Sequence, residues 1–229
     1  MEKLTRCFMS VLLLSAVLSS VLTEEKFVRD GGKLELRPNF SGDINTVTWK
    51  LSSDMVAEWL KSINDLTYYD VFKGRTTLNK ETGILEITNM SSADSGVYSV
   101  EINNMVLPER YNVKVIKEVP QPVVELKPLV CTSAYKQCTL HCEGNIEGAE
   151  PVIYSWKMGD REWRNGKKNR TITKDETTRD KTFSCQMKNP ISDKQSEPIE
   201  NIFYKSGVAG SVSVNLLVVI LAVVFGAGF

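Results

Sequence analysis

Hydrophobic and polar residues alternate in short runs through the middle of the chain, and apolar residues run together only at its two ends. A period of two sends neighbouring side chains to opposite faces, so each short run predicts a half-buried β-strand. GGKLELRP alternates on Leu34 and Leu36. VTWK does so around Trp49 and ADSGVYSVEI on Tyr98, Val100 and Ile102, and GILEITNM reads as a further strand with Ile84, Leu85 and Ile87. Further along, CTLHCE, YSWK and TFSCQMKNP repeat the pattern. The fold class these runs predict is all-β.

The ends read differently. At the N-terminus, Lys3 and Arg6 precede an apolar stretch from Cys7 to Leu18, followed by the small residues Ser19, Ser20 and Thr23. This is the layout of a secretory signal peptide, assigned to residues 1–23. This stretch of 12 residues falls short of a hydrocarbon core about 30 Å thick, which argues against an uncleaved anchor. At the C-terminus no charge follows Lys205, and Leu216 to Phe229 is wholly apolar. Small residues, a short spacer and an apolar tail match a glycosylphosphatidylinositol (GPI) signal over 205–229, with Ser206 as the attachment residue and Gly207 next to it. A transmembrane helix without a cytoplasmic tail is the alternative, but the tail carries no Lys or Arg to hold it. Both readings place the protein in the secretory pathway and on the outer face of the plasma membrane.

Secretion makes the cysteines informative. With Cys7 in the leader, the mature chain keeps Cys131, Cys138, Cys142 and Cys185, which allow three pairings. Cys142, Trp156 and Cys185 have the order and spacing of the immunoglobulin sandwich, whose strand-C Trp packs on a bridge between strands B and F. The 43-residue separation of the two cysteines is short, as in a C2-type domain, assigned to 118–204. That pattern pairs Cys142 with Cys185 and leaves Cys131 for Cys138. A zinc site using Cys131, Cys138, Cys142 and His141 is disfavoured, because secreted cysteines form disulfides.

Residues 24–117 carry the same pattern without cysteine. Trp49 takes the strand-C place and Tyr98 the tyrosine-corner place, so Val100 stands where the second Cys would be. Counting from Gly32 puts Pro38 near the other Cys place. Trp49 and Val100 lie 51 residues apart, which leaves room for the C′ and C″ strands of a variable-type domain. Arg75 can pair with Asp94 at the sandwich surface, worth under about 1 kcal/mol. The missing bridge forfeits roughly 4 kcal/mol and a buried Val returns about 1.5–3, so this is expected to be the less stable half. Pro120 and Pro122 favour an extended connection to the second domain.

An unbridged variable-type sandwich, a C2-type sandwich with an extra disulfide and a GPI-like tail together resemble the signalling lymphocytic activation molecule (SLAM) family, and its GPI-linked ligand members most. VTWK, MVAEW, FKGR, ETGILEI, SSADSGVYSV and CTLHCE…YSW…FSCQMKNPIS carry the resemblance. One departure is that no cysteine follows Cys185, so the second bridge is a local variant. The resemblance implies an adhesion ligand that binds an immunoglobulin-family receptor on an opposing leukocyte through the GFCC′C″ sheet of its first domain, homophilically or heterophilically. With Trp49 inward, Thr48 and Lys50 point outward on strand C; Ser99, Glu101 and Asn103 do so on strand F. Strand G offers Asn112 and Lys114, and C′ offers Glu58 or Trp59. A structural adhesion molecule of non-immune tissue on the same fold, or a secreted decoy, would carry the same motifs.

Charge and composition narrow the rest. Lys plus Arg and Asp plus Glu each total 28, which removes any dominant attraction to nucleic acid. The basic run from Arg161 to Arg170 is read as a solvated loop. With one histidine and no GxSxG, HExxH, GxGxxG or phosphate loop, an enzyme or a cofactor is not expected. Sequons at Asn39, Asn89 and Asn169 fall in loops or at strand ends, where glycans fit.

Overall fold

The structure, a computed structural model, describes residues 23–205. It is all-β apart from single turns of helix, and it forms two immunoglobulin-like sandwiches. The first contains β1 (Thr23–Arg29), β2 (Leu34–Leu36), β3 (Thr46–Leu51), β4 (Asp54–Leu60), β5 (Asp65–Tyr68), β6 (Thr76–Leu78), β7 (Leu85–Ile87), β8 (Gly96–Ile102), β9 (Met105–Val106) and β10 (Arg110–Ile116). One sheet runs β1-β10-β8-β3-β4-β5, with β9 folded back on β8; the other runs β2-β7-β6. In immunoglobulin lettering β3, β4, β5, β8 and β10 are C, C′, C″, F and G. The extra room between Trp49 and Val100 thus holds β4 and β5 in the larger sheet.

Period-two patterning packs this sandwich. Leu34, Leu36, Leu85 and Ile87 from the small sheet meet Val47, Trp49, Tyr98, Val100 and Ile102 from the large one in a single buried cluster. The Trp49 indole N–H donates to the Gly83 carbonyl at 2.9 Å, so a deeply buried donor is satisfied. Tyr98 Oη donates to the Asp94 carbonyl at 2.9 Å, forming the tyrosine corner. Val100 is buried as expected of the Cys place, whereas Pro38 is only half-buried. Pro38 lies two residues past β2; a methyl group on Gly83 would come within 3.1 Å of its Cγ. The strand-B core positions are Leu34 and Leu36, because β2 is short and inward alternation ends with Leu36.

The Arg75–Asp94 pair also differs from expectation. Asp94 is 2% exposed rather than at the surface. Arg75 meets it with two guanidinium nitrogens, Nη1 to Oδ2 at 3.1 Å and Nη2 to Oδ1. Ser91 adds its backbone N–H at 2.8 Å and its hydroxyl at 3.0 Å. Burial alone would raise the Asp94 carboxyl; the hydrogen bonds from Arg75 and Ser91 outweigh it and hold the group below the usual Asp value.

The second sandwich contains β11 (Val123–Lys127), β12 (Gln137–Glu143), β13 (Ile153–Met158), β14 (Arg164–Gly166), β15 (Asn169–Thr173), β16 (Thr182–Asn189), β17 (Ser192–Gln195) and β18 (Ile199–Glu200). Its sheets run β11-β12-β15 and β14-β13-β16-β17, with β18 also on β16. Cys142 on β12 is bonded to Cys185 on β16 across the core, where Trp156 is also buried. Cys131 is bonded to Cys138, closing the loop that leads into β12. The connection between the sandwiches is not a free extended tether. Lys117 N–H donates to Gly148 at 2.7 Å, Val119 N–H to Ser192 Oγ at 2.8 Å, and Asn189 Nδ2 to the Lys117 carbonyl at 2.8 Å. Prolines remove donors at 120 and 122, while the backbone of Lys117 and Val119 finds partners on the second sandwich.

Candidate partner-binding face

The outward side of the six-strand path in the first sandwich collects most of the nominated residues. Thr48 lies opposite both Glu101 on β8 and Glu58 on β4, and Lys50 lies opposite Ser99. Lys50 Nζ approaches Glu101 Oε2 at 3.9 Å, a loose and partly exposed pair. Glu58 accepts hydrogen bonds from the Thr48 hydroxyl at 3.4 Å and from Tyr69 Oη at 3.1 Å. Burial, then the hydrogen bond and charge of Glu58, push the Tyr69 phenol above its ordinary value. At the far edge Asn112 and Lys114 on β10 both reach Glu25 on β1, each at 3.2 Å. The face is therefore a shallow lattice of both charge signs, with Lys50, Glu58, Glu101 and Lys114 all presented outward.

Two nominated positions sit elsewhere. Trp59 is 7% exposed and packs in the core. The register shifts between Trp49 and Lys50 where β3 pairs with β4, so both Val56 and Ala57 turn inward before alternation resumes. Glu58 is then the outward residue of C′. Asn103 lies past β8, in the turn to β9, where it and Asn104 have φ of +51° and +63°. Positive φ at both central residues is the signature of a tight hairpin turn, and Asn tolerates it. The Asn103 side chain is consumed there: its oxygen accepts the N–H groups of Asn45 and Thr46, and its nitrogen donates to the Asp43 carbonyl at 2.8 Å. It braces the loop before β3 rather than offering a contact.

Glu25 and Tyr69 join the face without having been nominated. Alternation marks Glu25 as one side of a strand, but nothing local says that this strand pairs in parallel with β10. The three sequons avoid the face. Asn39 follows β2 and Asn89 follows β7, both strands of the opposite sheet, and Asn169 opens β15 in the second sandwich. His141 on β12 contacts the Asn169 and Glu143 side chains. The hydrogen bond from His141 does most to hold the Glu143 carboxyl below its usual value. The expected leader lies outside the described residues except for Thr23, which opens β1, and Ser206 and Gly207 lie outside them entirely. Among the described residues no helix is long and apolar enough to cross a membrane.

No protein-family model matches the chain. It is 25% identical over 178 residues to human T-lymphocyte surface antigen Ly-9, covering 74% of this chain and 27% of that protein. Human lymphocyte function-associated antigen 3 is 27% identical over 158 residues, covering 68% of this chain and 60% of the relative. Human CD48 antigen is 25% identical over 170 residues, covering 70% and 67%. The chain thus spans about a quarter of the first of these relatives and three-fifths of the second. Among solved structures, the CD2-binding domain of CD58 (lymphocyte function-associated antigen 3) superposes with a TM-score of 0.61 at 19% identity, covering 79% of this chain and 98% of that one. Murine CEACAM1b superposes with a TM-score of 0.60 at 19% identity, covering 76% and 94%. These two likenesses are of fold. The motifs across both sandwiches and the three lymphocyte relatives together make the chain a relative of the CD2/SLAM family of cell-surface adhesion proteins.

Proposed function

We propose that the chain is a cell-surface adhesion ligand, with residues 1–23 its leader, 24–117 and 118–204 its two immunoglobulin units, and 205–229 its membrane-attachment signal. The first unit binds an immunoglobulin-family receptor of the SLAM type on an opposing leukocyte through the outward face of its larger sheet. A lipid is attached at Ser206, and glycans stand at Asn39, Asn89 and Asn169. The observation that carries this reading is the face itself: Lys50, Glu58, Glu101 and Lys114 gathered on one sheet, with every sequon placed elsewhere. The solved CD58 domain that shares this fold is a CD2-binding domain, which supports a partner of the same architecture.

Charges that are loosely paired and part-exposed set partner choice and encounter rate more than raw affinity. Binding is therefore weak and falls as salt screens the face. The test is a binding screen of the ectodomain against SLAM-like ectodomains from the same animal, itself included. On the receptor that binds, Glu58→Lys or Lys114→Glu lowers affinity by roughly tenfold, and raising the salt does likewise. Unchanged affinity in both variants would rule out the face. Release from cells by a phosphatidylinositol-specific phospholipase separates the lipid anchor from a membrane helix.

A further inference from the structure

We propose that the disulfide-closed loop at the foot of the second sandwich rests on the bilayer that carries the chain, seating Leu129 and Val130 among the lipid headgroups. The inference builds on the membrane attachment proposed above. β11 and β12 run antiparallel: Val123 faces Glu143 at the end nearest the linker, and Lys127 faces Thr139 at the other end. The loop from 128 to 136 therefore projects at the end away from the linker. Leu129 is 84% exposed and Val130 71%, and Tyr135 in the same loop is 43% exposed. Such adjacent aliphatic exposure at one tip is unlike a solvated loop, which is polar for good reason.

The tip is held in shape. The Cys131–Cys138 bond closes it, and Lys174 clamps it from the neighbouring turn, Nζ donating to the Ser133 carbonyl at 2.9 Å and N–H to the Lys136 carbonyl at 3.0 Å. A loop already ordered loses little entropy on docking.

The chain leaves the sandwich at the same end. Lys205 N–H donates to the Thr178 carbonyl at 3.0 Å, one turn from Lys174. The proposed attachment residue is the very next one, Ser206, so only the glycan of the anchor separates the foot from the membrane. An anchor attached there keeps this end within a glycan's length of the bilayer surface. Aliphatic residues there leave water for the headgroup boundary, and tyrosine suits that boundary because one end is apolar and the other polar. Lys127, Lys136 and Lys205 are exposed around the tip and can meet lipid phosphates, although Asp175 and Glu176 stand nearby. The occupant is thus a phosphatidylcholine surface, not a second protein.

The test uses the full anchored chain in phosphatidylcholine–cholesterol vesicles carrying a photoactivatable group on the lipid headgroup, with labelled peptides mapped by mass spectrometry. Ile153, exposed at the linker end of the same sandwich, is the internal control. In a second version a flexible Gly/Ser segment of about 15 residues is inserted between Lys205 and Ser206, which removes enforced proximity. If the tip itself binds lipid, labelling of residues 128–135 persists in the lengthened chain. It then drops roughly fivefold in the lengthened chain carrying Leu129→Asp and Val130→Asp. If lengthening alone brings the loop down to the Ile153 level, the foot is merely tethered close by and the proposal is overturned, while anchoring stands. A chain that does not stay with the vesicles overturns the anchoring reading and this proposal together.

Discussion

Asp94→Ala unfolds the first sandwich at denaturant concentrations that leave the second intact. The substitution removes a carboxylate that is 2% exposed and strands the Arg75 guanidinium, itself largely buried, without its partner. Breaking one side of a buried pair costs about 3–5 kcal/mol, because the surviving charge stays desolvated. Ser91 loses two acceptor contacts at the same time. Domains of this size hold only about 5–15 kcal/mol in total, and this one has no bridge to fall back on. Hydrogen exchange read by mass spectrometry in rising urea resolves the two sandwiches separately. The double variant Arg75→Met, Asp94→Leu leaves no uncompensated charge and is expected to recover most of the loss. The pair has a pH signature as well. Because the folded carboxyl titrates below its unfolded value, its stabilisation is complete above the unfolded value of about 4 and fades as the pH falls further, through the folded value. Wild type should lose first-sandwich protection in that acid window, and the apolar double variant should lose less.

The second large effect concerns the two disulfides, which are not equivalent. Removing the Cys142–Cys185 bond by Cys142→Ala with Cys185→Ala opens a loop of 43 residues. On loop-closure entropy this costs roughly 4 kcal/mol, before any loss of packing around Trp156. Removing Cys131–Cys138, separated by 7 residues, costs roughly 2.5 kcal/mol. Urea midpoints of the second sandwich should therefore fall in that order. Equal losses would mean that the short loop is doing structural work beyond its own closure, and would weaken the view of it as a shaped surface tip.

Most of the scaffold was legible because it is written in local alternation. Trp49, Tyr98 and Val100 declare their side of a strand within a few residues, and the spacing from Trp49 to Val100 leaves countable room for β4 and β5. What escaped was set by pairing between distant segments or by backbone irregularity. The parallel union of β1 with β10, which brings Glu25 to the face, joins segments nearly ninety residues apart. The register shift beside Trp49 decides between Glu58 and Trp59, and no residue type announces it. Asn103 continues the alternation of β8 in sequence, yet its positive φ ends the strand. Asp94 is polar and lies in a run of small polar residues, so its burial depends on Arg75 arriving from nineteen residues away. Pro38 shows the same limit, since counting cannot tell where a strand of three residues stops.

The most direct measurement is a charge swap across the centre of the face. Lys50→Glu combined with Glu101→Lys keeps the loose intramolecular pair, so folding stability should stay within about 0.5 kcal/mol of wild type. The pattern shown to a receptor is inverted all the same. Binding of this soluble double variant to partner-bearing cells is expected to disappear while its unfolding midpoint holds. Undiminished binding by the well-folded swap would contradict the assignment of this sheet as the adhesive surface.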